Sequence, residues 1–273
     1  MNSDMSGYSL TYIYHDCFVW ETREAIFVFD YWKDPLAAGA DKDNPPLLTE
    51  LQRGKRVYVL VSHHHKDHFT RRIFRWGSVL DDVRYIISRD VYKSVSYLFR
   101  EDGDYRGTKP DPNRVTVLEP GEVFENELAR VSAFGSTDIG NSYAVECGTF
   151  RIFHAGDLNA WLWIDESTPR EIEEARVAFT DIVAGIREKF PEFDLVMFPV
   201  DSRLGREYWW GAKYFVEHIN VRMFVPMHFE LVLDEKDKQQ RRLDAAAFNL
   251  FGRNSYGSYL QLAATRACYI FRP

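Results

Sequence analysis

Cysteine is scarce in this chain: three in 273 residues, at Cys17, Cys147 and Cys268, with no Cys-x-x-Cys pair. So odd and scattered a set points to neither a disulfide framework nor a structural zinc site. Small hydrophobes packed in strands, in a reducing compartment, are the expectation. Positive charge is short as well. Lys and Arg number 34 against 41 Asp and Glu, for a net charge of −7. That balance argues against a nucleic-acid partner, which asks for a basic stripe. No apolar run approaches the roughly 18 residues of a membrane span. The opening Met1-Asn2-Ser3-Asp4-Met5 lacks the basic start and apolar centre of a secretion signal. These absences predict a cytoplasmic protein with no membrane contact. They leave the oligomeric state open.

What the chain does have is histidine in one place. Residues 62–69 read Ser-His-His-His-Lys-Asp-His-Phe, so His63, His64, His65 and His68 stand beside Asp67. Neutral imidazole and carboxylate are the ligands of a borderline divalent ion. In an extended segment His63 and His65 share a side and His64 points away. Asp67 and His68 follow where the chain must turn and can aim at a second point, so the pattern suggests two adjacent metal positions. The run before it, Val57-Tyr58-Val59-Leu60-Val61, reads as a buried strand of a parallel-type sheet, and sites favour the carboxyl ends of such strands.

At this point Val57 to His68 resembles the signature of the metallo-β-lactamase superfamily, a strand running into His-x-His-x-Asp-His. Phe153-His154-Ala155-Gly156-Asp157 resembles the turn that carries the superfamily's bridging Asp, here Asp157. Phe224-Val225-Pro226-Met227-His228 resembles its last ligand strand, with His228 as ligand. Tyr12 to Phe18 and Ile26 to Asp30 resemble the opening strands, and His15 a position near the site mouth. The likeness covers about residues 8–230 and leans to the short cytoplasmic branch that includes L-ascorbate-6-phosphate lactonase-like proteins. It implies a four-layer αββα sandwich, formed here by one domain over residues 1–273.

One departure stands out. The superfamily supplies another His between the first motif and the bridging Asp, but no His occurs between His68 and His154. Ser136, Thr137 or Asp138 holds that slot, and of these Asp138 offers the good ligand, a carboxylate. His154 is the other candidate donor, and a single metal position built from Asp67, His68, Asp157 and His228 is the third option. The resemblance thus implies metal ligands His63, His65, Asp67, His68, Asp138, Asp157 and His228, holding one or two divalent ions. Zn²⁺ is the first choice, with Mn²⁺ or Fe²⁺ compatible with a set that includes Asp138. A metal-bound hydroxide would attack an ester, lactone, amide or phosphoester bond in a small metabolite. Asp67 would be the catalytic carboxylate that orients the water or takes its proton. A phosphodiesterase or nuclease, and a non-catalytic protein with one degraded metal position, are the rival readings.

Around these motifs, strands are expected near 9–14, 17–21, 25–30, 84–88 and 195–198, with a strand-dense stretch from Val115 to His154. Helices are expected at 69–75, 90–100, 169–190 and 207–218, the third on an apolar stripe that includes Ile172, Val177, Phe179, Val183 and Ile186. Asp201 and Arg203 follow a central strand, where they would contact substrate or brace the loop. Trp32, Trp161, Trp163, Trp209 and Trp210 would wall a pocket or fill the core. The alternation of strand-rich and helical segments predicts a layered α/β protein.

Overall fold

The computed structural model describes residues 7–35, 45–100, 109–228, 258–260, 262 and 265–271. The chain divides into two compact units, residues 1–118 with 263–273, and residues 119–262. Each is built on one seven-stranded sheet.

In the first unit β1 (Tyr8–Tyr14), β2 (Cys17–Glu21) and β3 (Ala25–Phe29) form an antiparallel meander. The sheet continues in parallel through β4 (Arg56–Val61), β5 (Val83–Ser88) and β6 (Val115–Leu118), and β14 (Cys268–Phe271) pairs with β1 at the other edge. β3 is buried along its whole length and β4 everywhere but Arg56. That is why they read as continuous apolar runs rather than alternating ones. On one face Ile26, Val28, Val57, Val59 and Val61 meet Leu47, Leu48 and Leu51 of helix α1 (Pro46–Leu51) and Val91 and Val95 of α2 (Arg89–Val95). On the other face the rings of Trp20, Phe27 and Tyr58 stack at centroid distances of 4.8 and 4.9 Å. Each such buried ring contributes about 2 kcal/mol relative to exposure.

The second unit repeats the plan. β7 (Val123–Glu125), β8 (Arg130–Phe134), β9 (Ser142–Cys147) and β10 (Phe150–His154) are antiparallel. β11 (Glu192–Pro199), β12 (Asn220–Met227) and β13 (Ser258–Tyr259) then extend the sheet in parallel from β10. The β9–β10 turn is closed by Gly148 in the left-handed region (φ 59°), which glycine adopts without steric cost. Helix α3 (Pro169–Lys189) starts at a capping box. The Thr168 side chain accepts from the Glu171 amide, the Glu171 carboxylate accepts from the Thr168 amide, and Pro169 occupies the first turn. Its buried face is Phe179, Val183 and Ile186, spaced four and three apart, whereas Val177 lies outside it and is 48% exposed. Helix α4 (Trp210–His218) begins three residues later than its sequence pattern suggests, because Glu207 takes a left-handed conformation (φ 58°).

The segment expected as a helix at 69–75 is instead a 3-10 helix at Arg71–Ser78, preceded by an extended Thr70 (φ −133°). The amides of His68 and Phe69 both bond the His65 carbonyl, which closes a turn before Thr70 and delays the helix. Residues 89–99 change from α-helix to 3-10 helix after Val95. The Gly-, Asp- and Pro-rich segment 101–113, whose composition predicts a polar loop, lies outside the described residues over 101–108, and so does the charged stretch Asp234–Asp244, whose composition predicts an exposed loop or helix. Among the described residues no helix is long and apolar enough to cross a membrane.

Candidate metal centre

Parallel pairing of β3 with β4 sets the carboxyl ends of these strands side by side, so Asp30 meets Ser62 across 32 positions of sequence. Asp30 is buried, at a left-handed φ of 44° that Asp tolerates better than most residues. Its Oδ1 accepts from the Ser62 amide (2.7 Å) and its Oδ2 from the Ser62 hydroxyl (2.6 Å). The same Oδ2 lies 2.9 Å from His68 Nδ1. The Ser62 hydroxyl, with its hydrogen directed at Asp30, is left to accept from His63 Nδ1 at 2.9 Å. One carboxylate therefore fixes two imidazoles, directly at His68 and through Ser62 at His63. In a neutral ring each of these bonds favours the tautomer with its proton on Nδ1 and its lone pair on Nε2, the arrangement a metal-ligating histidine needs.

His63 Nε2 stands 3.0 Å from His65 Nδ1. Two nitrogens bound at about 2.0–2.1 Å to one tetrahedral Zn²⁺ stand about 3.3 Å apart, so the pair fits a single ion. His64 turns outward as strand alternation requires, its amide and Nδ1 both on Asp90 Oδ2 (2.9 and 3.0 Å). Asp67 approaches His15 Nε2 at 3.5 Å. The His15 imidazole beside it, with a further contribution from His68, holds the Asp67 carboxyl well below the usual carboxylate range despite partial burial. Asp16 is wholly buried, and its Oδ2 lies 3.5 Å from His68 Nδ1.

In the second unit three neighbouring parallel strands, β10, β11 and β12, lead into Asp157, Asp201 and His228. His228 Nε2 is 3.2 Å from Asp157 Oδ1, and its Nδ1 is 3.1 Å from Asp201 Oδ2. Arg203 clasps Asp201 through Nε (3.0 and 2.9 Å) and Nη2 (2.6 Å). Burial pushes the Asp201 carboxyl up, but hydrogen bonds with His228 and Arg203 outweigh it and hold it well below the usual range. The Trp161 indole donates to the Asp157 carbonyl (2.8 Å), and its ring stands 5.1 Å from that of His228.

Asp138 is exposed and has a carboxylate oxygen within 4.8 Å of one of Asp157. His154 is buried at the end of β10, where its Nδ1 accepts from the Gly156 amide (3.2 Å) and braces the turn leading to Asp157. Of the tryptophans, Trp163 is 38% exposed and Trp32, Trp209 and Trp210 are half-buried. Arg71, three residues past His68, donates to the Tyr97 hydroxyl (2.9 Å). Sequence reasoning missed Asp16 and Ser62 altogether and read Asp30 only as a strand end. The one signal for Asp16 was a carboxylate inside an otherwise apolar opening hairpin. Backbone strain marks the same places. Of six non-glycine residues with positive φ among those described, two fall here in the first unit (His15, Asp30) and two in the second (Trp161, His228). Each such conformation costs on the order of 1 kcal/mol and persists where surrounding contacts over-determine it.

The beta-lactamase superfamily domain matches residues 9–228. The chain belongs to the metallo-β-lactamase superfamily. It is similar in fold to Igni18, a metallo hydrolase from the archaeon Ignicoccus hospitalis, with TM-score 0.62 and 13% identity over 97% of this chain and 99% of that one. The metallo-β-lactamase fold protein YhfI from Bacillus subtilis is similar at TM-score 0.58 and 11% identity, over 97% of this chain and 100% of that one. CmlA, a diiron β-hydroxylase from Streptomyces venezuelae, is similar at TM-score 0.57 and 13% identity, over all of this chain and 55% of that one. No curated protein matches the chain in sequence. These likenesses bear on the fold, which is the αββα class expected from the sequence. They span metallo hydrolase and diiron hydroxylase, so the fold does not choose the metal.

Proposed function

We propose that the protein is a metal-dependent hydrolase of a small metabolite, cleaving an ester, lactone, amide or phosphoester bond. The observation that carries this is the pairing of imidazoles with buried carboxylates, Asp30 with His68 and, through Ser62, His63 in the first unit, and Asp201 with His228 in the second. Such pairing presents Nε2 lone pairs to a cation and is the outer shell that metal-binding histidines require. The proposed ligands are His63, His65, Asp67 and His68 from the first unit and Asp138, Asp157 and His228 from the second. Two ions, with Zn²⁺ as the metal, are the preferred occupancy, and Asp138 takes the place of the absent histidine. A bound ion of this kind polarises the bond under attack and acidifies a water.

The chain's own groups do the rest. Asp67 stays ionised at neutral pH and is 44% exposed, so it is placed to accept a hydrogen bond from the attacking water and orient it. Its depressed pKa makes it a weak store for the proton. The Trp161 ring meets that of His228 edge-on at 5.1 Å between centroids. The likeness to lactonase-like proteins makes a lactone the first bond to test. Work in the cytoplasm suits cysteines that form no disulfide with one another, Cys17 and Cys147 buried and Cys268 exposed.

The test is metal content by mass spectrometry of untagged protein and of its Asp138→Ala variant, followed by lactone, ester, thioester and bis(p-nitrophenyl) phosphate panels. Two equivalents in the parent and one in the variant, with turnover of a small ester or lactone, is the expected result. Absence of metal from both would end the metal-centre reading. Turnover of the phosphodiester alone would replace the metabolite hydrolase by a phosphodiesterase.

A further inference from the structure

Asp201 lies past the end of β11 and belongs to no ligand motif, yet it is 3% exposed and carries two partners on one oxygen. Its Oδ2 receives Arg203 Nη2 at 2.6 Å and faces His228 Nδ1 at 3.1 Å. The guanidinium also reaches back to the imidazole, with Nη2 3.4 Å from Nδ1. Arg203 itself is 65% exposed, so the cation at the rim and the buried histidine share one carboxylate. His228 stands at a left-handed φ of 67°, a conformation that its neighbours must hold.

We propose that Asp201 and Arg203 are opposed positioning residues for His228, Asp201 raising and Arg203 lowering the affinity of this ligand for a divalent cation. The inference rests on His228 being a metal ligand. Asp201 anchors the Nδ1 proton, keeps the lone pair on Nε2, and increases the basicity of the ring. Arg203 neutralises that carboxylate and sets a positive charge near the ring, and both effects disfavour a cation at Nε2. A loop brace that merely held Asp201 in place would act in one direction only. The opposed signs are what separate tuning from bracing.

The measurement is Co²⁺ and Zn²⁺ affinity by competition with a chromophoric chelator, together with the Co²⁺ absorption spectrum. Wild type, Asp201→Asn, Asp201→Glu and Arg203→Ala are compared after far-UV circular dichroism in EDTA. Asp201→Asn is expected to weaken binding about 10–100-fold. Asp201→Glu should recover part of the loss. Arg203→Ala, a change at an exposed side chain, should tighten binding several-fold and shift the Co²⁺ spectrum. If Arg203→Ala weakens binding as Asp201→Asn does, the pair is a brace and the inference is overturned. Unchanged affinity in all variants overturns it too, while leaving the metal centre standing. If wild type binds neither ion, the reading of His228 as a ligand fails, and this inference with it. Should Asp201→Asn not fold, Arg203→Ala decides the question by the sign of its shift.

Discussion

Replacing Asp30 by Asn would test whether its buried carboxylate orients ligands or only stabilises a loop. The two side chains have the same shape, and Asn tolerates the left-handed φ of 44°, so no backbone strain is added. The amide oxygen can still accept from the Ser62 amide at the Oδ1 position. At the Oδ2 position an NH₂ replaces an acceptor that now receives the Ser62 hydroxyl and faces His68 Nδ1. Two hydrogen bonds to a charged group, worth about 1.5–3 kcal/mol each, are lost. The amide regains about 0.5–1.5 kcal/mol at each by donating instead. Metal-free stability should therefore fall by about 2–3 kcal/mol. The larger consequence lies at the ligands. An amide that donates to His68 Nδ1 moves the ring proton to Nε2, the nitrogen that must bind the ion. Co²⁺ affinity should fall about 10–100-fold, equivalent to about 1.4–2.7 kcal/mol. Urea unfolding in EDTA reads the first effect and chelator competition the second. A variant that loses stability but binds Co²⁺ within twofold of wild type would show that Asp30 does not set the tautomers, and the network argument would be wrong.

Three further outcomes are expected. Ser62→Ala removes the link between Asp30 and His63 but leaves His68 on Asp30, so in a two-metal protein it should reduce Co²⁺ stoichiometry towards one; two tight equivalents would contradict the relay. Gly211→Ala puts a Cβ into Asn159 Oδ1 and 3.0 Å from the Ala160 amide, where Asn159 now accepts from Ala160. Overpacking and the lost bond outweigh the gain in helix propensity, for a loss of about 1–3 kcal/mol on thermal unfolding. The pH dependence has a definite sign, because the Asp201 carboxyl is depressed in the folded protein. Its contribution is full above the unfolded carboxylate pKa of about 4 and is lost as pH falls towards the folded value. The stability gap between wild type and Asp201→Asn in EDTA should thus narrow below about pH 4, and a constant gap in urea midpoints would refute the assignment.

How far the sequence reaches is clearest at the strand ends. Runs such as Ala25–Phe29 and Val57–Val61 announce buried parallel strands because both of their faces are covered, and the histidines after Val61 announce a site at a carboxyl end. Alternation alone sends His64 away from His63 and His65. Helix α3 is legible from its apolar stripe, and its cap of Thr168, Pro169 and Glu171 is made within four residues. Local bonds leave local signatures. The change to 3-10 helix after Thr70 and the late start of α4 were not legible, because left-handed and extended residues there answer to turns rather than to side-chain periodicity.

The partners of the site histidines belong to the tertiary structure. Asp30 and Ser62 become neighbours only because β3 pairs with β4, and Asp201 reaches His228 only because β11 pairs with β12. The repeat of one plan, an antiparallel meander continued by parallel strands, is likewise a fact of topology with no trace in residue identity. By itself the sequence determined where strands and candidate ligands lie, through hydrophobic patterning and the chemistry of histidine and aspartate. Strand pairing decided which carboxylate holds which imidazole. Hydrogen bonds of about 3 Å depend on distances that close only when residues far apart in the chain are brought to adjacent strand ends.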